Sequence, residues 1–243
     1  MSFAATLARD FPAAIPANQF VNSTQDKLRE HGVHRGSALP LIATCRDELA
    51  FALTAELQRA WGPAFNMAGL AGLLTLGRTG IAAARGHAPL MNDRRTFVLF
   101  GLAHVGVDDA GTIGNCERPG VPGPSRTCGA LMALHDELRG GDVHTSDYPY
   151  LDKDDPEQSR LRERIAPRVP DVEAVGLLGI TRIARDLIDA DTDAVIQVLR
   201  DDQVPAHVAV FTGIHIHGPR GAEYVDVGRS FLDRGDEILA LSL

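Results

Sequence analysis

The sequence predicts an α/β fold with a mainly parallel sheet flanked by helices. Three observations carry that prediction. Short, continuous apolar runs at 39–44 (LPLIAT), 95–102 (RTFVLFGL) and 207–216 suit strands buried on both faces. Segments with helical spacing of apolar residues lie between them. Strands separated in this way by helices form parallel neighbours with both sheet faces covered.

Taken in order, residues 1–19 read as an N-terminal arm. It is mildly apolar but lacks the basic start and long apolar stretch of a signal peptide. A helix is expected after Asn22-Ser23, a pair suited to capping, and runs to about His31 with Gly32 as its stop. The first strand, 39–44, ends at Cys45. A helix follows at once: Asp47 and Glu48 sit where the helix dipole favours negative charge. Ala50, Leu53, Leu57, Ala60 and Trp61 share one face, and Gly62-Pro63 closes it. Residues 65–84 are rich in Gly and Ala with a break at 77–80 (GRTG), which implies close packing, part helix and part loop. The second strand, 95–102, has His104 just past its end. A turn at 108–111 and a Pro/Gly-rich loop at 119–126 lead to Cys128. That cysteine opens a helix carrying Leu131, Leu134 and Leu138, closed by Gly140-Gly141. Residues 142–155 are polar and read as an excursion. Asp155-Pro156 starts a helix over 156–166, and another fills most of 172–200. The third strand, 207–216, precedes a terminal segment with no clear pattern.

The bulk numbers bound the function. The chain has 243 residues, 44% hydrophobic and 23% charged, which fits one α/β domain or two small ones, and a single domain over 1–243 is the expectation. A net charge of −8 lacks the basic face that nucleic acid or an anionic membrane requires. No apolar run approaches the roughly 20 residues of a membrane helix. Three cysteines at wide spacing are unlike a secreted disulfide framework, and a reducing cytoplasm with thiols free for metal is the expectation.

Two strands thus deliver Cys45 and His104 to their carboxyl ends, where open parallel sheets bind ligands. Cys128 stands at a helix N-terminus, which favours thiolate. Two thiolates and one imidazole suit tetrahedral zinc with a fourth position left for water. Spacing alone leaves the bland readings open: a buried small hydrophobe for Cys45, unremarkable positions for the other two. His215-Ile216-His217 is a second candidate chelate, since alternate residues of a strand share a face. Metal-dependent hydrolase barrels open with such a pair, but too little chain follows it. Two histidines on an exposed strand face, or at a subunit contact, is the expected role. A zinc deaminase would carry a PCxxC turn and a Glu after its first His, and neither stands here.

The blocks LIATCRDELA, FNMAGLAGLLTLGRTGIAAARGHAP, FVLFGLAHVGVDDAGTIG, RPG and SRTCGALMAL resemble, in order, those of the limiting-CO2-inducible B/C family, which includes the theta-class carbonic anhydrases. The resemblance spans about Phe20 to FTGIHIHGP. It implies a beta-carbonic-anhydrase-like fold, normally a homodimer, and zinc held by Cys45 of the CxD motif, His104 of AHVG and Cys128 of SxxCGA. It implies a lyase that reversibly hydrates carbon dioxide to bicarbonate by zinc-bound hydroxide, with no nucleic-acid or membrane partner. The alternative is a non-catalytic zinc protein of inorganic-carbon handling.

Within that frame Asp47 either orients the hydroxide or ligates the metal, and an arginine partner decides between the two. Arg78 is the expected partner, with Arg126 as a rival; Arg46, adjacent to Cys45, is expected to point away. His87 of GHAP either lines the pocket or shuttles protons, or is a solvated helix-end residue. Glu48 is a first-turn helix charge, Ser125 and Thr127 are caps, and Cys116 is a spare thiol.

Overall fold

The computed structural model describes residues 1–74, 77–141, 152–200 and 203–243. Helix α1 (Phe3–Asp10), strand β1 (Ala14–Pro16) and helix α2 (Ala17–Arg29) come first. The stretch expected as an arm is therefore itself folded. Helix α2 starts before Asn22-Ser23, which lie inside it. Its buried residues Ala17, Phe20, Val21, Thr24 and Leu28 form a helical stripe that begins at Ala17, directly after Pro16. The stripe outweighs the capping preference.

Strand β2 (Leu39–Ala43) leads into a short 3-10 turn, Glu48–Ala50, and helix α3 (Phe51–Trp61). Helix α3 buries Leu53, Leu57 and Trp61, and Gly62 ends it at φ 103°, a conformation that favours glycine. Strand β3 (Phe65–Asn66), helix α4 (Arg78–His87) and strand β4 (Leu90–Met91) follow. The expected break at 77–80 is instead the first turn of α4, with Gly77 at its N-cap. Strand β5 (Arg94–Gly106) runs past Leu102 and takes His104 into the sheet. Two short strands, β6 (Asn115–Cys116) and β7 (Ser125–Arg126), form a separate ribbon before helix α5 (Gly129–Gly140). The polar excursion lies mostly outside the described residues. Helices α6 (Pro156–Ile165) and α7 (Val172–Arg200) precede strand β8 (Ala206–His217). The terminal segment forms β9 (Glu223–Asp233) and β10 (Ile238–Ala240).

The sheet order is β1-β9-β8-β5-β2-β3. Strands β3, β2, β5 and β8 are parallel neighbours. Strand β9 returns antiparallel along β8 and pairs antiparallel with β1 and β10. Side chains of β5 alternate between two cores. Phe97 and Leu99 pack with Leu131 and Leu134 of α5 and with Ile180, Ala184 and Ile188 of α7. Val98, Phe100 and Leu102 pack with Phe20 of α2 and with Leu53, Leu57 and Trp61 of α3. Phe100 and Phe211 stack across the strands at 5.4 Å between centroids. Each such side chain, fully buried, contributes about 1.5–3 kcal/mol relative to exposure. The apolar runs become central strands because both faces are covered.

Candidate metal centre

The register of β5 against β8 places His104 opposite His215 and Gly106 opposite His217. Full pairing along both strands keeps this polar stretch in the sheet, so His104 lies inside the strand rather than beyond it. Cys45 stands two residues past the end of β2, the parallel neighbour of β5. Cys128 is the N-cap of α5. A chain of backbone hydrogen bonds brings it to β5: Gly106 N–H donates to Thr127 O (3.2 Å), Gly114 N–H to Gly106 O (2.8 Å) and Thr127 N–H to Gly114 O (2.9 Å). On the other side, Gly72 lies so close that a Cβ there would sit 2.1 Å from the Leu102 carbonyl oxygen. That is the close packing expected of the Gly/Ala-rich segment.

Cys45, His104 and Cys128 are all buried, and their candidate ligand atoms lie within 4.8 Å of one another. The two sulfurs are 3.9 Å apart. Two sulfurs at about 2.3 Å from one tetrahedral zinc would stand about 3.8 Å apart. His104 Nδ1 is 3.0 Å from His217 Nε2, while His104 Nε2 is buried and has no hydrogen-bond partner among the described residues. An orphaned buried nitrogen beside two thiols fits a soft divalent cation. The Cys128 thiol and then His104 pull Cys45 down to about 4 against burial. The neighbouring Cys45 sulfur and burial push Cys128 well up, against the backbone N–H groups of Leu131 and Ala130. A cation bound between the two sulfurs would displace their thiol protons.

Asp47 is held by an arginine, but Arg118 and not Arg78. Arg118 Nη1 donates to Asp47 Oδ1 (3.1 Å) and Nη2 to Oδ2 (2.9 Å), a two-point clamp. Arg118 also donates to Glu48, to Arg126 O (3.1 Å) and to Thr127 Oγ1 (3.3 Å). Asp47 Oδ1 accepts the Leu49 N–H at 3.1 Å, so the capping role holds as well. Burial pushes the Asp47 carboxyl up, but Arg118 and the Leu49 N–H outweigh it and hold it below the usual range.

Arg78 is exposed at the start of α4 and lines a surface hollow with Arg85 and Gln197, because the helix it opens carries it outward. His87 is exposed at the other end of α4, its ring 5.8 Å from that of Phe65. Arg46 pairs outward with Glu157, and Arg126 with Asp136. Cys116 is buried with its sulfur 2.7 Å from Thr127 Oγ1. Arg118 had a signal in the sequence, since it opens the RPG block.

His215 and His217 are not on an exposed face: they are 1% and 4% exposed, on a strand that pairs with β5 on one side and β9 on the other. Glu223 of β9 pairs in register with His217. Its Oε1 is 3.8 Å from His217 Nδ1 and its Oε2 is 3.7 Å from His215 Nε2. Burial raises the Glu223 carboxyl, yet the two imidazoles outweigh it and hold it at about 2. Burial takes His217 down to about 3.

Residues 14–231 match the family model of limiting CO2-inducible proteins B/C beta carbonic anhydrases. The crystal structure of PtLCIB4, a homolog of the limiting CO2-inducible protein LCIB, superposes with a TM-score of 0.82 at 23% identity, covering 99% of this chain and 100% of that one. The crystal structure of LCIB itself gives 0.80 at 26% identity, covering 97% of each chain. No curated protein matches the chain. Among the described residues no helix is long and apolar enough to cross a membrane.

Proposed function

This chain belongs to the limiting CO2-inducible B/C family of beta carbonic anhydrases, and from that premise we propose that it is a zinc-dependent carbonic anhydrase. Cys45, His104 and Cys128 hold the ion in this reading, and Asp47 and Arg118 complete the site. One observation carries it: Arg118 engages both carboxylate oxygens of Asp47, which stands outside the three-ligand group. That arrangement supports a metal with one position left for water, since a carboxylate so clamped is kept from closing the site. A structural zinc site would have no use for the clamp.

Zinc bound there supplies a water acidified to a pKa of about 7, and so a nucleophile for carbon dioxide. The chain's own residues do the rest. Asp47, fixed by Arg118, would accept a hydrogen bond from that nucleophile and so orient it toward carbon dioxide. Arg118 is itself held by Thr127, one residue before Cys128, which couples the clamp to a ligand. Burial of Cys45, His104 and Cys128 places the ion in surroundings of low dielectric, where its charge acts more strongly on the bound water.

Stopped-flow measurement of carbon-dioxide hydration, with zinc content, tests the reading on wild type and Asp47→Ala. Wild type with about one zinc per chain should turn over, and Asp47→Ala should keep zinc and lose roughly 10²-fold or more of the rate. A zinc-loaded wild type without hydration refutes the enzyme and leaves a binding protein.

A further inference from the structure

Behind the three ligands lies a second group that the reaction above does not use: buried His215 and His217 with half-buried Glu223. Both ring nitrogens of His215 are buried and have no hydrogen-bond partner among the described residues. The N···O separations of 3.7 and 3.8 Å to Glu223 exceed hydrogen-bond length. By geometry alone the group is either a second cation site or a support for the first. Counting protons separates them.

A neutral imidazole has one N–H and one lone pair. If His104 gives its Nε2 lone pair to the ion, its proton sits on Nδ1 and faces His217 Nε2 at 3.0 Å. His217 Nε2 then accepts, and its own proton sits on Nδ1, facing Glu223. In that state His217 has no lone pair for a second ion. The converse also holds: a cation at His217 Nδ1 places the proton on His217 Nε2, pushes that of His104 onto its own Nε2, and removes the ligand facing the cysteines. With neutral rings the two ions exclude one another.

We propose that His217 and Glu223 are positioning residues for the metal centre, holding His104 in the tautomer whose Nε2 lone pair faces Cys45 and Cys128. The inference rests on the reading that these three residues bind the ion. The carboxylate end of the chain is supplied by β9, which folds back antiparallel, and the acceptor by the last residue of β8. Metal-bound histidines commonly give their second N–H to such a partner, and loss of it costs about 10–100-fold in metal affinity.

The test is zinc affinity by competition with a chromophoric chelator, together with the visible spectrum of the Co(II)-loaded protein. His217→Phe keeps a ring of similar size but removes the acceptor. It should weaken zinc binding about 10–100-fold and alter the Co(II) bands. His217→Gln, whose side-chain carbonyl can accept the Nδ1–H, should recover most of the affinity, which a merely structural role would not explain. Glu223→Ala should fold like wild type and weaken zinc several-fold, and it carries the test alone if His217→Phe does not fold. Unchanged zinc affinity in folded His217→Phe, or in Glu223→Ala, overturns the inference. So does a second zinc in wild type that Glu223→Ala removes. Cys45→Ser separates the two claims: if it loses zinc while His217→Phe keeps it, the ligand reading stands and this inference falls. If Cys45→Ser binds zinc as tightly as wild type, both fall.

Discussion

The two halves of the sheet divide the labour of the site. The parallel half, β3-β2-β5-β8, ends in groups that would touch the metal: Cys45 after β2 and His104 in β5, with Cys128 brought alongside by the turn before α5. The antiparallel half, β8-β9 with β1 and β10, supplies Glu223 and sets it in register beside His217. One half presents lone pairs to a common point, and the other buries the groups that set their direction. Parallel strands deliver residues to one rim because all their carboxyl ends lie there. An antiparallel return brings a carboxylate from a distant segment to the back of that rim.

The largest effect expected on this division is loss of the metal itself. Cys45→Ser leaves only one thiolate and one imidazole, and bound zinc should fall to background by elemental analysis while far-ultraviolet circular dichroism stays native. Full zinc retention would mean that the parallel half does not hold the ion. Next in size is Arg118→Ala. Freed from its clamp, Asp47 loses its fixed direction, and hydration should fall about 10²-fold with zinc retained. Arg78→Ala, at an exposed position on α4, should leave the rate unchanged. Equal losses in both variants would undo the assignment of Arg118.

The same division sets what can be read from the sequence. Cys45, His104 and Cys128 stand at or near the ends of apolar runs and at a helix start, positions that hydrophobic pattern marks directly. The apolar run ends two residues before His104, but pairing with β8 carries β5 on to Gly106, so the histidine lies inside the strand. Arg118 reaches Asp47 across 71 residues of chain, and no local pattern encodes that contact. Glu223 is harder still. Strand β9 reads EYVDVGRSFLD, half buried and with polar residues on both faces, so neither alternation nor an apolar run announces it. Without β9 in place, a strand ending IHIH reads as exposed. Pairwise register between distant segments, not composition, decides its burial.

The smallest effect expected tests whether a buried carboxylate of the antiparallel half works like Asp47. Asp226 of β9 accepts the Ala13 N–H at 3.0 Å, but burial dominates and pushes its carboxyl up. Asp47 is shifted the other way because a guanidinium pairs with it. A carboxyl raised on folding contributes stability below its unfolded pKa, and that contribution is lost as pH rises through the folded pKa. Asp226→Asn keeps an acceptor for Ala13 and never carries charge. Its melting temperature relative to wild type should therefore rise between pH 4 and pH 8, with zinc content and hydration rate unchanged. A melting difference that does not vary with pH would remove the distinction between the two carboxylates. A fall in zinc content would instead draw Asp226 into the support of the metal centre, and the division between the halves would have to be redrawn one strand further out.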